Sequence, residues 1–267
     1  METIARIARN DVLYPPATLN PVNTAAGQAG IPLTDLGPIL IASPHPDDET
    51  LGCGGLISRC AALGVPITLL SITNGEASHP GDVTWQRKLA TIRQQELRLA
   101  LGALGITEPD IVPLCLPDGG LEQLDEAACH RAQAHIQVLF LARNIRTVFV
   151  PAADDCHGDH RWTARLMAGV VGTRPVERLF SYQIWPPQHR SRQMLAAEQG
   201  YSHDISDLLA VKRQAIQQYR SQLGVVDVAH AGGFRMPDDL LEAKLSSVEC
   251  FARVTNIENW LPGKTQS

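Results

Sequence analysis

Short apolar runs alternate with segments of helical spacing through most of this chain, and no other feature restricts its fold so tightly. Ile39 to Ser43, Pro66 to Thr73, Asp110 to Leu116 and Thr147 to Pro151 each have the length of a buried strand. Between them the spacing predicts helices over about Thr50 to Leu63, Thr84 to Leu104 and Leu121 to Asn144. The second is marked by Leu89, Ile92, Leu99 and Ala103 and stopped by Gly105. Strands alternating with crossover helices pair in parallel, so the expected class is α/β: a Rossmann-like, doubly wound, mostly parallel sheet. Sheets of this kind bind ligands beyond the carboxyl ends of their strands.

The flanks are less regular. Residues 1–37 carry Pro15, Pro16, Pro21 and Pro32 with no sustained apolar period, which predicts an irregular N-terminal arm ahead of a single domain over 38–267. In the last third the pattern predicts a strand over Arg178 to Trp185 and a Pro/Gln/Arg-rich loop to about His203. A C-terminal helical appendage follows, around Ser206 to Leu223 and Pro237 to Val248.

Charge and composition narrow the partners. With 23 Lys plus Arg against 28 Asp plus Glu, the chain has a formal charge of -5, the wrong sign for nucleic acid or an anionic membrane surface. No apolar run approaches the roughly 20 residues of a membrane span, and Met1 to Arg9 does not resemble a secretory signal. A cytoplasmic protein acting on a small molecule is expected; homo-oligomerisation stays open. The six cysteines, 53, 60, 115, 129, 156 and 250, form no CxxC pair, and most are expected to be reduced, buried and inert.

Chemistry concentrates at two of the predicted strand ends. Ile39 to Ser43 runs into Pro44-His45-Pro46-Asp47-Asp48-Glu49, and Thr147 to Pro151 runs into Asp154-Asp155-Cys156-His157-Gly158-Asp159-His160. His45 and Asp48, three apart in a turn, can converge on one point, leaving Asp47 beside it. With His160 they make the three-ligand N/O set of a catalytic zinc site that keeps a position open. Taken alone, Asp48 or Glu49 reads equally well as an acidic first-turn residue, worth about 0.3–1 kcal/mol to a helix N-terminus. Two His/Asp loops on one sheet edge favour a shared metal, and Cys156 is a weaker rival ligand.

Together the residues Ala42-x-Pro44-His45-Pro46-Asp47-Asp48-Glu49 and His157-x-Asp159-His160 resemble the LmbE-like, or PIG-L, family of zinc-dependent N-deacetylases. The similarity runs from about Pro38 to Leu223 and includes Thr73-Asn74-Gly75-Glu76, Arg93-x-x-Glu96 and Pro117-Asp118-Gly119. It implies that His45, Asp48 and His160 hold Zn2+, with Fe2+ as the other metal such ligands suit. It further implies that Asp47 is the general base, that His157 faces the developing oxyanion, and that Arg93 and Asp118 bind the substrate. Asp159 is expected to orient a neighbouring ring by accepting its N–H.

The resemblance predicts removal of an N-acetyl group from an N-acetylglucosamine-like conjugate. Its alternatives are an amidase on another N-acyl compound, such as a thiol conjugate or a natural-product intermediate, and a non-catalytic metal-containing sugar-binding module. Gly158 stands where the family usually has proline. Gly52-x-Gly54-Gly55 lacks the order of a phosphate loop, so close helix packing is expected there. His79, His189 and His203 are expected in solvated loops, and the tryptophans in the core.

Overall fold

The computed structural model describes residues 29–187, 199–225 and 233–260. One eight-stranded sheet organises them: β1 (Ala29–Gly30), β2 (Ile39–Ser43), β3 (Ile67–Thr73), β4 (Asp110–Leu116), β5 (Thr147–Pro151), β6 (Arg178–Tyr182), β7 (Gln199–Asp204) and β8 (Val248–Arg253). The strand order is β1-β7-β8-β6-β5-β2-β3-β4. All pairs are parallel except those that β8 makes with β6 and β7. The helices are α1 (Asp48–Ala62), α2 (Val83–Ala103), α3 (Glu126–Arg143), α4 (Gly158–Thr173), α5 (Leu209–Ile216) and α6 (Asp238–Lys244). The expected doubly wound α/β class is therefore observed.

The period of two in a strand divides the interior into two layers. Along β2, Ile39 and Ile41 join Leu51, Leu56, Leu97, Phe149 and Phe180 on one face. Leu40 and Ala42 join Ile136, Phe140, Val148, Met167 and Val170 on the other. Since β2 is buried on both faces its sequence is a continuous apolar run, as central parallel strands require.

From β2 the chain winds outward through β3 to β4, then returns to lay β5 on the other side of β2. That reversal is a topological switch point. Pairing Ile39 with Thr147 and Ile41 with Phe149 brings the ends of β2 and β5 side by side. The two motif-bearing loops leave the sheet at neighbouring points.

Local rules set most element ends. Asp82 caps α2 by accepting from Trp85 N at 2.9 Å, and Asp125 caps α3 by accepting from Ala128 N at 2.6 Å. That second cap splits the helix predicted over Leu121 to Asn144 into a 3-10 turn, Leu121–Gln123, and α3. The predicted Arg178 to Trp185 strand stops at Tyr182, and the helices predicted over Ser206 to Leu223 and Pro237 to Val248 shorten to α5 and α6.

Glycines 52 and 55 serve close packing, as expected. A Cβ on Gly52 would lie 2.4 Å from the Tyr182 ring, and one on Gly55 2.2 Å from Ile205.

The expectations for the histidines and cysteines are corrected, and that for the tryptophans holds. His203 lies in β7 and is buried, and His79 is buried too; His189 lies outside the described residues. Only Cys53 and Cys60 are buried, while Cys115 is exposed and the other three are half-buried. Trp85, Trp162 and Trp260 are buried, and Trp185 is half-buried against the core. Of the N-terminal arm, residues 29–37 are described: they add β1 to the sheet edge and bury Ile31 and Leu36. No helix among the described residues is long and apolar enough to cross a membrane.

Candidate metal centre and active site

His45 and Asp48 leave β2 in the turn that starts α1, and His160 sits in the first turn of α4. Their inner atoms form a triangle: His45 Nδ1 to Asp48 Oδ2 is 3.1 Å, Asp48 Oδ2 to His160 Nε2 is 3.2 Å, and His160 Nε2 to His45 Nδ1 is 3.4 Å. All three residues are buried.

The outer nitrogens show what this triangle suits. His45 Nε2 lies 3.2 Å from both Asp118 Oδ1 and Asp159 Oδ2, and His160 Nδ1 lies 3.2 Å from Asp155 Oδ2. Each neutral ring has one proton, and the carboxylates outside draw it outward, so the two inner nitrogens turn lone pairs toward each other and toward a carboxylate oxygen. Three converging lone pairs repel unless a cation lies between them. Tetrahedral zinc, with Zn–N and Zn–O bonds of about 2.0–2.2 Å, spaces its ligands roughly 3.3–3.5 Å apart. The residues present fit a divalent cation of that size.

The charges agree. Burial would lower the His160 ring, but Asp48 and Asp155 outweigh it and lift it to about 9. Burial would raise the Asp48 carboxyl, yet His160 and His45 hold it well below the usual carboxylate range. Burial likewise opposes the shifts of Asp118, held at about 2 by His45 and Arg93, and of Asp159, lowered by His45. Imidazole ligates only when neutral, so metal and protons compete for this cluster.

Asp47, beside the triangle, has a backbone at φ 141°, ψ −30°. Such a conformation costs a non-glycine residue about 1–3 kcal/mol and survives where neighbours enforce it. One enforcer is Arg93, whose NH2 donates to Asp47 Oδ2 at 3.1 Å and to Pro46 O at 2.8 Å, and whose NH1 donates to Gly75 O at 2.9 Å. Gly75, at φ +67°, leaves room for that guanidinium: a Cβ there would lie 2.1 Å from Arg93 NH1. Burial pushes the Asp47 carboxyl up to about 8 against the opposing pull of Arg93.

His157 is the N-cap of α4, and its Nδ1 accepts from Asp159 N at 3.2 Å. That bond leaves the ring proton on Nε2. Burial and the neighbouring rings of His45 and His160 push His157 down to about 4, so at neutral pH it is an uncharged donor.

The two loops therefore bring together His45, Asp47, Asp48, His157, Asp159 and His160. Asp118 reaches His45 as well, with its Oδ2 accepting from Ala77 N at 2.7 Å. Asp159 faces His45, and its oxygens also accept from Gly119 N at 2.8 Å and Leu121 N at 3.3 Å. The His160 side of the cluster is backed by Asp155, a role that the sequence reading missed. Its signal was position, five residues before His160 in the same acidic loop. Asp155 is held by Trp185 N at 2.9 Å, a contact no local pattern reveals.

Fold and cluster together define a class: doubly wound α/β proteins with a two-histidine, one-carboxylate candidate metal site at the switch point. The profile of the PIG-L family, GlcNAc-PI de-N-acetylase, matches residues 40–171. The chain is 29% identical over 193 residues to a probable N-acetyl-alpha-D-glucosaminyl L-malate deacetylase 2 of Bacillus cereus, covering 69% of this chain and 83% of that protein. A conserved protein of Thermus thermophilus is 32% identical, covering 70% of this chain and 80% of the other, with a TM-score of 0.53. The N,N'-diacetylchitobiose deacetylase of Pyrococcus horikoshii shares the fold at 22% identity, with a TM-score of 0.62 over 84% of this chain and 85% of the other. This chain belongs to the PIG-L, or LmbE-like, family.

Proposed function

We propose that this protein is a divalent-cation-dependent hydrolase that removes the N-acetyl group from an N-acetylglucosaminyl conjugate of small size. The observation that carries the reading is the His45–Asp48–His160 triangle with the restrained carboxylate of Asp47 next to it. The name of the Bacillus cereus relative, a probable N-acetyl-alpha-D-glucosaminyl L-malate deacetylase, supports the substrate class. His45 Nδ1, Asp48 Oδ2 and His160 Nε2 would hold the metal; the N/O donor set suits Zn2+ and also Fe2+. Bound there, such an ion supplies a nucleophile from water near neutral pH and polarises an amide carbonyl.

The chain's own groups do the rest. Arg93 occupies Asp47 Oδ2; in the ionised form, which a cation in the adjacent triangle would favour against the effect of burial, Oδ1 is left to take the proton of the attacking water and return it to the departing amine nitrogen. His157, uncharged, donates from Nε2–H to the carbonyl oxygen as negative charge develops there. Asp159 accepts the outward proton of His45 with Asp118 beside it, and the charge of Asp155, 3.2 Å from His160 Nδ1, favours the proton of that ring on its outer nitrogen. Arg93 and Asp118 were expected to meet the substrate directly. Their contacts support service to it through Asp47 and His45.

Metal analysis combined with acetate release tests this reading. The purified chain, loaded with Zn2+ or Fe2+, is offered N-acetylglucosamine, N,N'-diacetylchitobiose and an N-acetylglucosaminyl malate. Release from at least one is expected, and Asp47→Asn should lower turnover by at least about 10²-fold while metal stays bound. Undiminished turnover in Asp47→Asn, or no divalent ion bound, would sink the mechanism. Metal bound with no hydrolysis of the panel would point instead to a sugar-binding module.

A further inference from the structure

The strained peptide at Asp47 needs a second support on its amide side, and Glu49 provides it: Asp47 N donates to Glu49 Oε2 at 3.2 Å. Glu49 is fully buried, so the direction of its carboxylate is set by the donors around it. On Oε1 these are Thr50 Oγ1, at 2.6 Å, and the phenol of Tyr219. Thr50 Oγ1 and Tyr219 Oη also lie 3.0 Å apart. On the Oε2 side, Ser43 Oγ is 3.0 Å away but has a closer acceptor in His45 O, at 2.7 Å.

Tyr219 arrives from a distant part of the chain, in the turns that follow α5, and is itself fully buried. Its hydroxyl reaches Glu49 and Thr50 and none of the three candidate metal ligands. A phenylalanine would fill the same apolar space, so packing alone does not call for the oxygen. Among the described residues, the hydroxyl's one carboxylate partner is the one that grips the Asp47 amide.

We propose that Tyr219 is a positioning residue for Asp47, acting through Glu49. The phenol fixes Oε1, which keeps Oε2 aimed at the Asp47 amide and so maintains the backbone conformation that points the Asp47 carboxylate at the site. Without it, Glu49 is held on Oε1 by Thr50 alone, and its carboxylate can turn about its own axis. A shift of about 1 Å in a reacting group costs on the order of 10²-fold in rate. The proposal rests on Asp47 being the base, as argued above.

The test compares Tyr219→Phe, Glu49→Gln and the double variant with the wild type. Tyr219→Phe keeps the ring and its packing. Three readouts are taken: kcat and KM on whichever N-acetylglucosaminyl compound the wild type cleaves, Zn2+ affinity by titration, and hydrogen exchange at the Asp47 amide by NMR. For Tyr219→Phe we expect kcat to fall about 10- to 100-fold, KM and Zn2+ affinity to stay within about twofold, and Asp47 exchange to accelerate. The double variant should be no slower than the slower single variant, because both act on one link.

Unchanged kcat and exchange would overturn the proposal. A joint loss of kcat, KM and Zn2+ affinity would assign Tyr219 a general structural role instead, and an additive double variant would remove Glu49 from the route. If the wild type cleaves nothing in the panel, the functional reading fails. The exchange rate of the Asp47 amide still decides whether Tyr219 holds that peptide.

Discussion

Arg93 shows how far one buried side chain can govern a site. It spends two nitrogens on Asp47, Pro46 and Gly75, and only a planar fork reaches all three. Arg93→Lys keeps the charge and loses the fork; we expect kcat to fall by roughly tenfold or more with Zn2+ affinity retained, measured by steady-state kinetics and titration. Gly75→Ala should act likewise, since its methyl would enter the guanidinium's place at a positive φ. His203 gives a pH signature. Burial lowers its pKa and its Nε2 has no hydrogen-bond partner among the described residues, so folding disfavours the charged ring. Below the unfolded value of about 6.5 the unfolded chain binds the extra proton. Wild-type stability relative to His203→Leu should therefore decline as pH falls from 7.5 to 5, in denaturant titrations; a constant difference would contradict this. At this scale the candidate ligands that the fold brings together were legible from type and spacing. Asp155, Glu49 and Tyr219 were not, because their roles depend on a main-chain amide or a phenol brought in from afar.

Among the elements, α1 is held by an ion pair inserted into its side. Glu249 of β8 accepts from Gly55 N at 2.7 Å and Leu56 N at 2.9 Å, while Lys212 of α5 donates to Leu51 O at 3.0 Å and to Glu249 at 2.7 Å. Both side chains are buried, and the glycine at 54 lets Lys212 approach, its Cγ lying 3.1 Å from where a Cβ would be. Lys212→Met leaves Glu249 charged and unpaired in the interior, which should cost about 3–5 kcal/mol in urea unfolding. Adding Glu249→Leu should recover much of that loss, since the amides of Gly55 and Leu56 can return to carbonyls of their own helix. Neither β7 nor β8 was legible as a strand. Gln199–Asp204 is polar and contains a glycine, and it is extended because β1 and β8 satisfy its backbone on both sides. The parallel strands β2, β3 and β5 were legible because burial on both faces writes an apolar run into the sequence itself.

For the whole molecule, a ligand that binds only the folded chain must stabilise it. The candidate ligands come from two loops about 115 positions apart, which the unfolded chain does not hold together. Zn2+ at about 100 times its Kd should add roughly 2.7 kcal/mol, raising Tm by about 5–10 °C in calorimetry, and His160→Ala should abolish the rise. A shift that survives His160→Ala would place the ion elsewhere. The amino-acid order by itself determined the α/β class, the central strands and the identity of the clustered histidines and carboxylates, because hydrophobic period and residue chemistry are local properties. Only tertiary structure decided that β5 lies against β2, which nitrogen of each ring faces inward, and which distant groups brace Asp47. Those outcomes depend on strand order and on hydrogen-bond partners supplied by remote segments, and no window of sequence contains both halves of such a contact.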